Sequence, residues 1–185
     1  MKRCDWANSS SLETDYHDKE WGVAVHDDRL LFEMLILESA QSGLSWSTIL
    51  NKRDGYLAAF DQFEVKKIAR YSDKKIEKLL NNPAIVRNKL KINATVENAK
   101  QVIAIQKEFG SFDKYIWLFV QGKTIKNAWK KTSQIPASTK ESAAMSKDLK
   151  KRGFKFIGPT TCYAFMQAAG MVNDHIVSCF RYAKV

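Results

Sequence analysis

The sequence predicts an all-α fold, and three observations carry that expectation. Apolar residues recur at helical spacing along most of the chain, and no segment alternates long enough to form a strand. The 185 residues also include only eight glycines and three prolines to interrupt helices. Asp27 or Asp28 can cap a helix from Arg29 to about Gln41, in which Leu30, Leu31, Met34, Leu35 and Leu37 repeat at helical spacing. Ser42 and Gly43 break it, and Ser45 can cap a second helix to about Phe60. Shorter helices are predicted at Val65–Arg70 and Lys74–Leu80, the latter capped by Ser72. Pro83 ends that run, and a long basic helix fills about Val86–Phe109 until Gly110 stops it. Ser111 opens another through Tyr115, Trp117 and Phe119 to a break at Gly122. Thr132–Ser138 reads as a loop. Helices then follow at Thr139–Arg152 and Thr160–Ala169, and a last one is expected to begin near Asp174.

The length suits one helical domain over residues 1–185, with enough chain to bury a hydrophobic interior. No apolar run approaches the ~20 residues of a membrane helix, and no apolar segment follows Met1–Asp5 as a signal peptide requires. Three widely spaced cysteines argue against a disulfide scaffold and for a reducing compartment, so a cytoplasmic location is expected. Thirty Lys and Arg against twenty Asp and Glu give a formal charge of +10, which suits a polyanionic partner such as nucleic acid. A basic surface without a specific partner is the alternative.

Four potential metal ligands lie at the two ends of the chain, Cys4 and His17 at one, His175 and Cys179 at the other. On the expected C-terminal helix, His175 and Cys179 form an i, i+4 pair on one face. With Cys4 and His17 they would complete the Cys₂His₂ set of a structural zinc. Spacing leaves this open, because a buried histidine or cysteine is also ordinary core. Cys162, within an apolar run, reads as core, and three cysteines cannot supply a four-thiolate iron–sulfur cluster.

Lys147, Lys150, Lys151, Arg152 and Lys155 concentrate positive charge around a turn bounded by Gly153 and Gly158. Both glycines permit unusual backbone conformations, and a helix opening at Pro159-Thr160 points free N–H groups outward. A helix, glycine hairpin and helix of this kind can grip phosphate without reading sequence; an ordinary corner with a solvated charged face fits equally. Glu38 shares the apolar stripe of Leu31, Met34 and Leu35, whereas Glu33 lies off it. An inward carboxylate needs partners and often marks a site. Trp46, Trp6, Tyr16 and Trp21 are close in sequence and could stack on a nucleobase. They could equally be core around a bridging Glu38. The tight turn Gly43-Leu44 could push an apolar wedge into a base stack.

Several motifs together resemble the DNA-3-methyladenine glycosylase I family of the helix-hairpin-helix glycosylase superfamily. They are Tyr16-His17-Asp18-Lys19-Glu20-Trp21-Gly22, Leu31-Phe32-Glu33-Met34, Leu37-Glu38, Gly43-Leu44-Ser45-Trp46 and Ile49-Leu50, then Leu149 to Phe156 and Val172-Asn173-Asp174-His175. The resemblance spans Cys4 to Cys179. It implies a monofunctional hydrolase that excises 3-methyladenine from double-stranded DNA after base flipping. No membrane or protein partner is expected, and a monomer is the simplest expectation. It also implies one structural zinc on Cys4, His17, His175 and Cys179, with Glu38 as the base-recognising carboxylate. Tyr16 and Trp46 match the family's pocket aromatics, Trp6 and Trp21 are expected to complete the pocket, and Gly43 and Leu44 match the segment that enters the gap behind the flipped nucleotide. Gly153, Lys155, Gly158 and Thr160 are the expected phosphate contacts. Two positions depart from the pattern. Glu13 stands where some members have a tyrosine. Asn173 stands where many superfamily relatives have a water-activating aspartate. A non-catalytic DNA-binding protein and a glycosylase of broader scope are the alternatives.

Overall fold

Ten helices are set by local caps and by one continuous apolar interior, and the computed structural model describes all of residues 1–185. They are α1 (Ser11–Lys19), α2 (Asp28–Gln41), α3 (Trp46–Leu50), α4 (Arg53–Ala59), α5 (Val65–Ile68), α6 (Asp73–Leu80), α7 (Lys89–Phe109), α8 (Phe112–Ile116), α9 (Lys140–Lys151) and α10 (Pro159–Ala168). The all-α expectation holds apart from a two-residue parallel pairing of β1 (Ile125–Lys126) with β2 (Val172–Asn173), too short to leave a sequence pattern. The caps read from sequence are present: Asp27 accepts from the Leu30 N–H at 2.8 Å, and Ser45, Ser72 and Ser111 cap their helices likewise; Thr139, expected as the first helical residue, is instead the cap of α9. Gly110 ends α7 in the left-handed region.

Several boundaries differ. The predicted 45–60 helix splits into α3 and α4, because Asn51 turns its side chain back to the Ser47 carbonyl (2.7 Å). α7 begins at Lys89 rather than Val86, where Asn88 accepts from the Lys91 N–H (3.1 Å). The helix expected from Asp174 does not form; the chain there runs as turns, with the Cys179 N–H donating to Ile176 O (2.8 Å). Competing bonds explain this. Asn173 accepts from the His175 N–H and donates to the carbonyls of Tyr182 and Val185, pinning the tail. α1 was not anticipated, since its inward residues are Glu13, Tyr16 and His17 rather than aliphatics; its signal was Ser10, which caps the Glu13 N–H at 3.1 Å.

α2 is the axis of the fold. It packs against α10, α7 and α8, and every residue from Leu31 to Ala40 is buried. A second, smaller apolar cluster gathers Cys4, Tyr16, Trp21, Ile176 and Cys179, so the two chain ends meet beside the α2 face that carries Glu38. No helix is long and apolar enough to cross a membrane.

Candidate active site and metal-ligand cluster

α2 carries two buried carboxyls, and their surroundings differ sharply. Glu33, expected off the inward face, is only 2% exposed because α2 is covered on all sides; Arg53 (2.9 Å) and Arg29 (3.1 Å) neutralise it. Glu38 is 6% exposed and has no ionic partner. Burial alone pushes its pKa up to about 8. It faces a cleft of about 400 Å³ lined also by Trp6, Glu13, Tyr16, Trp21, Gln41, Trp46, Thr132, Ile135, Ala164 and Gln167.

The five residues singled out in sequence as base-binding or catalytic thus share one cavity. Trp6 and Trp21 meet edge to face at 5.1 Å, and Tyr16 and Trp46 are tilted at 5.1 Å. The Trp46 indole N–H is buried without a partner. Burial, then the neighbouring Glu38, hold the Tyr16 hydroxyl well above its ordinary pKa, so it stays a donor. The cleft is therefore an aromatic cage with an unpaired carboxyl at its floor, suited to a flat heterocycle that is cationic or carries N–H donors.

Behind the cage stand the four potential metal ligands. The ring of His175 is 4.6 Å from that of Trp21, and His17 is 5.3 Å from Trp6. Cys4 Sγ and Cys179 Sγ lie 3.7 and 3.6 Å from His175 Nδ1, and Cys179 Sγ lies 3.5 Å from His17 Nε2. A tetrahedral zinc with ordinary bond lengths sets sulfur–nitrogen edges of about 3.6 Å, so the spacing fits. The outward nitrogens are occupied, leaving the inward ones to ligate: His17 Nδ1 meets Asp18 (2.8 Å) and His175 Nε2 meets the Trp21 carbonyl (3.0 Å). Arg3 in turn holds Asp18 at 2.7 Å. Burial keeps His175 neutral, with its pKa down at about 4, and pushes the Cys4 thiol up to about 12. A cation among them is what would make a buried thiolate favourable. The i, i+4 helical rationale for His175 and Cys179 is corrected, since turns bring them together.

The remaining expected contacts lie outside the cleft. Leu44 is 41% exposed at the end of α2, on a turn where Gly43 has φ +79°. In the turn between α9 and α10, Gly153 needs its φ of +98°, but Gly158 has an ordinary φ of −83°, and Phe156 instead takes φ +57°. Lys155 is exposed, and Gly158 leaves the first turn of α10, including Thr160, without a side-chain cap. Arg152 is not free for an outside anion, because it pairs with Glu108 (2.7 Å) and Asp148 (3.0 Å).

The family model for methyladenine glycosylase matches residues 6–182. The chain belongs to this family. That makes it an N-glycosylase, a hydrolase. Over 177 residues it is 47% identical to the DNA-3-methyladenine glycosylase of Haemophilus influenzae, with 96% of each chain covered. A crystal structure of 3-methyladenine DNA glycosylase I superposes with a TM-score of 0.94 at 47% identity, covering 97% of this chain and 98% of that one. A variant glycosylase I crystallised with 3-methyladenine matches with a TM-score of 0.94 at 36% identity, covering 97% of each chain.

Where many superfamily relatives have the aspartate, Asn173 of this methyladenine glycosylase instead ties the C-terminal tail. Its neighbour Asp174 is saturated, accepting from Asn127, Trp129, Tyr163 and Gln167 at 2.6–2.8 Å. Sequence reasoning gave no role to Glu13, Gln41, Ala164 and Gln167, which line the cleft. Glu13 was detectable at i−3 from Tyr16, on the same helical face. Thr132 and Ile135 belong to the segment expected as a loop, whose start is a 3-10 turn over Thr132–Gln134 in which Gln134 Oε1 accepts from the N–H groups of Lys130 (2.9 Å) and Lys131 (3.1 Å).

Proposed function

We propose that this chain excises 3-methyladenine from alkylated double-stranded DNA as a monofunctional glycosylase, acting on a nucleotide flipped out of the duplex. The observation that carries this is the unpaired Glu38 carboxyl at the floor of the aromatic cage. Methylation at N3 makes the base cationic in the nucleoside. It stacks on Trp46 and Tyr16, with Trp6 and Trp21 closing the cage; the positive charge of the bound base favours the ionised form of Glu38, which then accepts hydrogen bonds from the adenine edge. The N-glycosidic electron pair passes to the base, which leaves neutral and needs no protonating acid. The sugar becomes an oxocarbenium ion that a water molecule captures, giving up one proton to solvent and leaving a hydroxyl on the anomeric carbon. Flipping costs a few kcal/mol, less for a poorly paired lesion. No lysine lines the cleft, so no amine is in place for a lyase step.

The same reading assigns Gly43 and Leu44 to the gap in the stack, and Gly153, Lys155, Gly158 and Thr160 to the DNA backbone in a helix-hairpin-helix grip. Zinc held by Cys4, His17, His175 and Cys179 would supply no chemistry, because all four positions are protein ligands. It would tie the segment bearing Trp6, Tyr16 and Trp21 to the chain's other end. Action in the cytoplasm accords with three buried, unpaired cysteines, and a monomer is the simplest state for it.

Incubation with methylated duplex should release 3-methyladenine and leave an abasic but unbroken strand. Glu38→Gln should slow release about 10²–10³-fold while undamaged duplex binds as before. Equal excision by that variant overturns the assignment.

A further inference from the structure

The Gly43-Leu44 turn and the α9–α10 hairpin are far apart in sequence, yet both are fastened to one face of α7. Lys91 Nζ donates to the carbonyls of Ala40 (2.8 Å) and Ser42 (2.6 Å), so an ammonium closes the C-terminal end of α2 where the turn begins. Two helical turns further along, Asn98 is fully buried. It accepts from the Lys155 N–H (2.8 Å) and donates to the Lys155 carbonyl (3.1 Å), holding the hairpin by its backbone. Positions seven apart face the same way, about 10 Å from one another along the helix axis. The space between the two anchors is filled: Ala40, Lys91, Thr95, Asn98 and Phe156 all border one residual cavity of about 10 Å³. The turn's foot, the α7 face and the hairpin tip therefore form one packed joint.

The Lys91 contact lies at the very end of α2, whose buried run Leu31–Ala40 packs against α10, α7 and α8. Lys91 does not reach the cleft around Glu38. What it fixes is the path of the chain after Ala40. The Gly43 turn has nothing within 4 Å where a Cβ would stand, and Leu44 N–H bonds only back to the Gln41 carbonyl (2.6 Å). Without the ammonium, the carbonyls of Ala40 and Ser42 have no side chain holding them.

We propose that Lys91 is a positioning residue for action on duplex DNA: together with Asn98 it sets the Leu44 turn and the Lys155 hairpin at a fixed separation, so that apolar insertion and backbone grip engage one duplex in register. This rests on the reading of turn and hairpin as DNA-contacting segments. The α7 face works as a gauge between two contacts that neither segment sets alone.

The test compares Lys91→Met, which keeps the apolar stem and loses the donors, with Lys91→Arg, Leu44→Ala and the Lys91→Met/Leu44→Ala pair. Lys91→Met should slow single-turnover excision from methylated duplex about 10- to 100-fold, as misplacement of a positioned group does. Binding of free 3-methyladenine, read by tryptophan fluorescence, should be unchanged, because the cage is untouched. Lys91→Arg should restore most of the loss, since a guanidinium still reaches both carbonyls. In the Leu44→Ala background, Lys91→Met should add little, as expected when two residues act through one step. Additive losses, or a parallel loss of free-base binding, overturn the positioning role. Unchanged duplex excision by Leu44→Ala alone removes the underlying wedge reading, and the proposal falls with it.

Discussion

Glu33 and Glu38 lie five residues apart on α2, and both are buried, but only Glu33 has arginines beside it. The carboxyl of Glu38 therefore keeps its proton to about pH 8, against an ordinary value of 4.5. Its folded-state pKa is raised, so its contribution to stability is fully present below about pH 4.5 and is lost as pH rises through 8. Glu38→Gln removes this dependence. Denaturant titrations should show the variant gaining stability over the natural chain between pH 4.5 and 8, with a constant difference above that range. A difference that does not vary with pH would show that Glu38 titrates in the folded chain as it does in the unfolded one. The inward placement of Glu38 was legible in its spacing from Leu31, Met34 and Leu35. The burial of Glu33 was not, because a stripe on one helix says nothing of what covers its other side.

Among the elements, the starts of α2, α3, α6 and α8 were the most legible feature, whereas those of α1, α4 and α7 were missed or misplaced. Ser, Thr, Asp and Asn caps act within three residues and need no tertiary partner. The N-terminal and C-terminal segments were misread for the opposite reason. α1 has too few aliphatic residues to display a period, and residues 174–179 are held in turns by Asn173 and by contacts far away in sequence. The α9–α10 hairpin lies between these cases: its charge and Gly153 were visible, whereas the Asn98 clamp on Lys155 was not. Lys155→Ala leaves that clamp intact, because Asn98 holds only backbone atoms. It should weaken binding to damaged and undamaged duplex alike and reduce the slope of log affinity against log salt by about one. An unchanged slope would place the Lys155 ammonium away from phosphate.

At the scale of the whole molecule, the two chain ends form the rear wall of the cleft. Trp6 and Trp21 face the cavity on one side and the His17–His175 pair on the other, so what holds the ligand cluster also shapes the cage. Spacing could not show this, since the ligand pairs belong to opposite ends of the sequence and only the fold joins them. Metal analysis should find about one zinc per chain. Stripping it with a chelator should lower the melting temperature and weaken free 3-methyladenine binding together, with recovery on adding zinc back. A metal-free chain that melts and binds as the loaded one does would remove the role.

The meeting of the termini has a further consequence for how the chain can be cut. The Phe180 N–H donates to the Lys2 carbonyl at 3.0 Å, beside the Cys4–Cys179 cluster. The polypeptide is in effect a ring whose seam the cluster closes. A short peptide link across that seam, with new ends opened at the exposed Gln121–Lys123 turn, should give a circular permutant that folds and excises normally. The covalent link would take over the fastening, so the permutant should lose most of its sensitivity to chelator. Undiminished sensitivity would mean that the cluster orders the cage wall locally rather than by joining the ends.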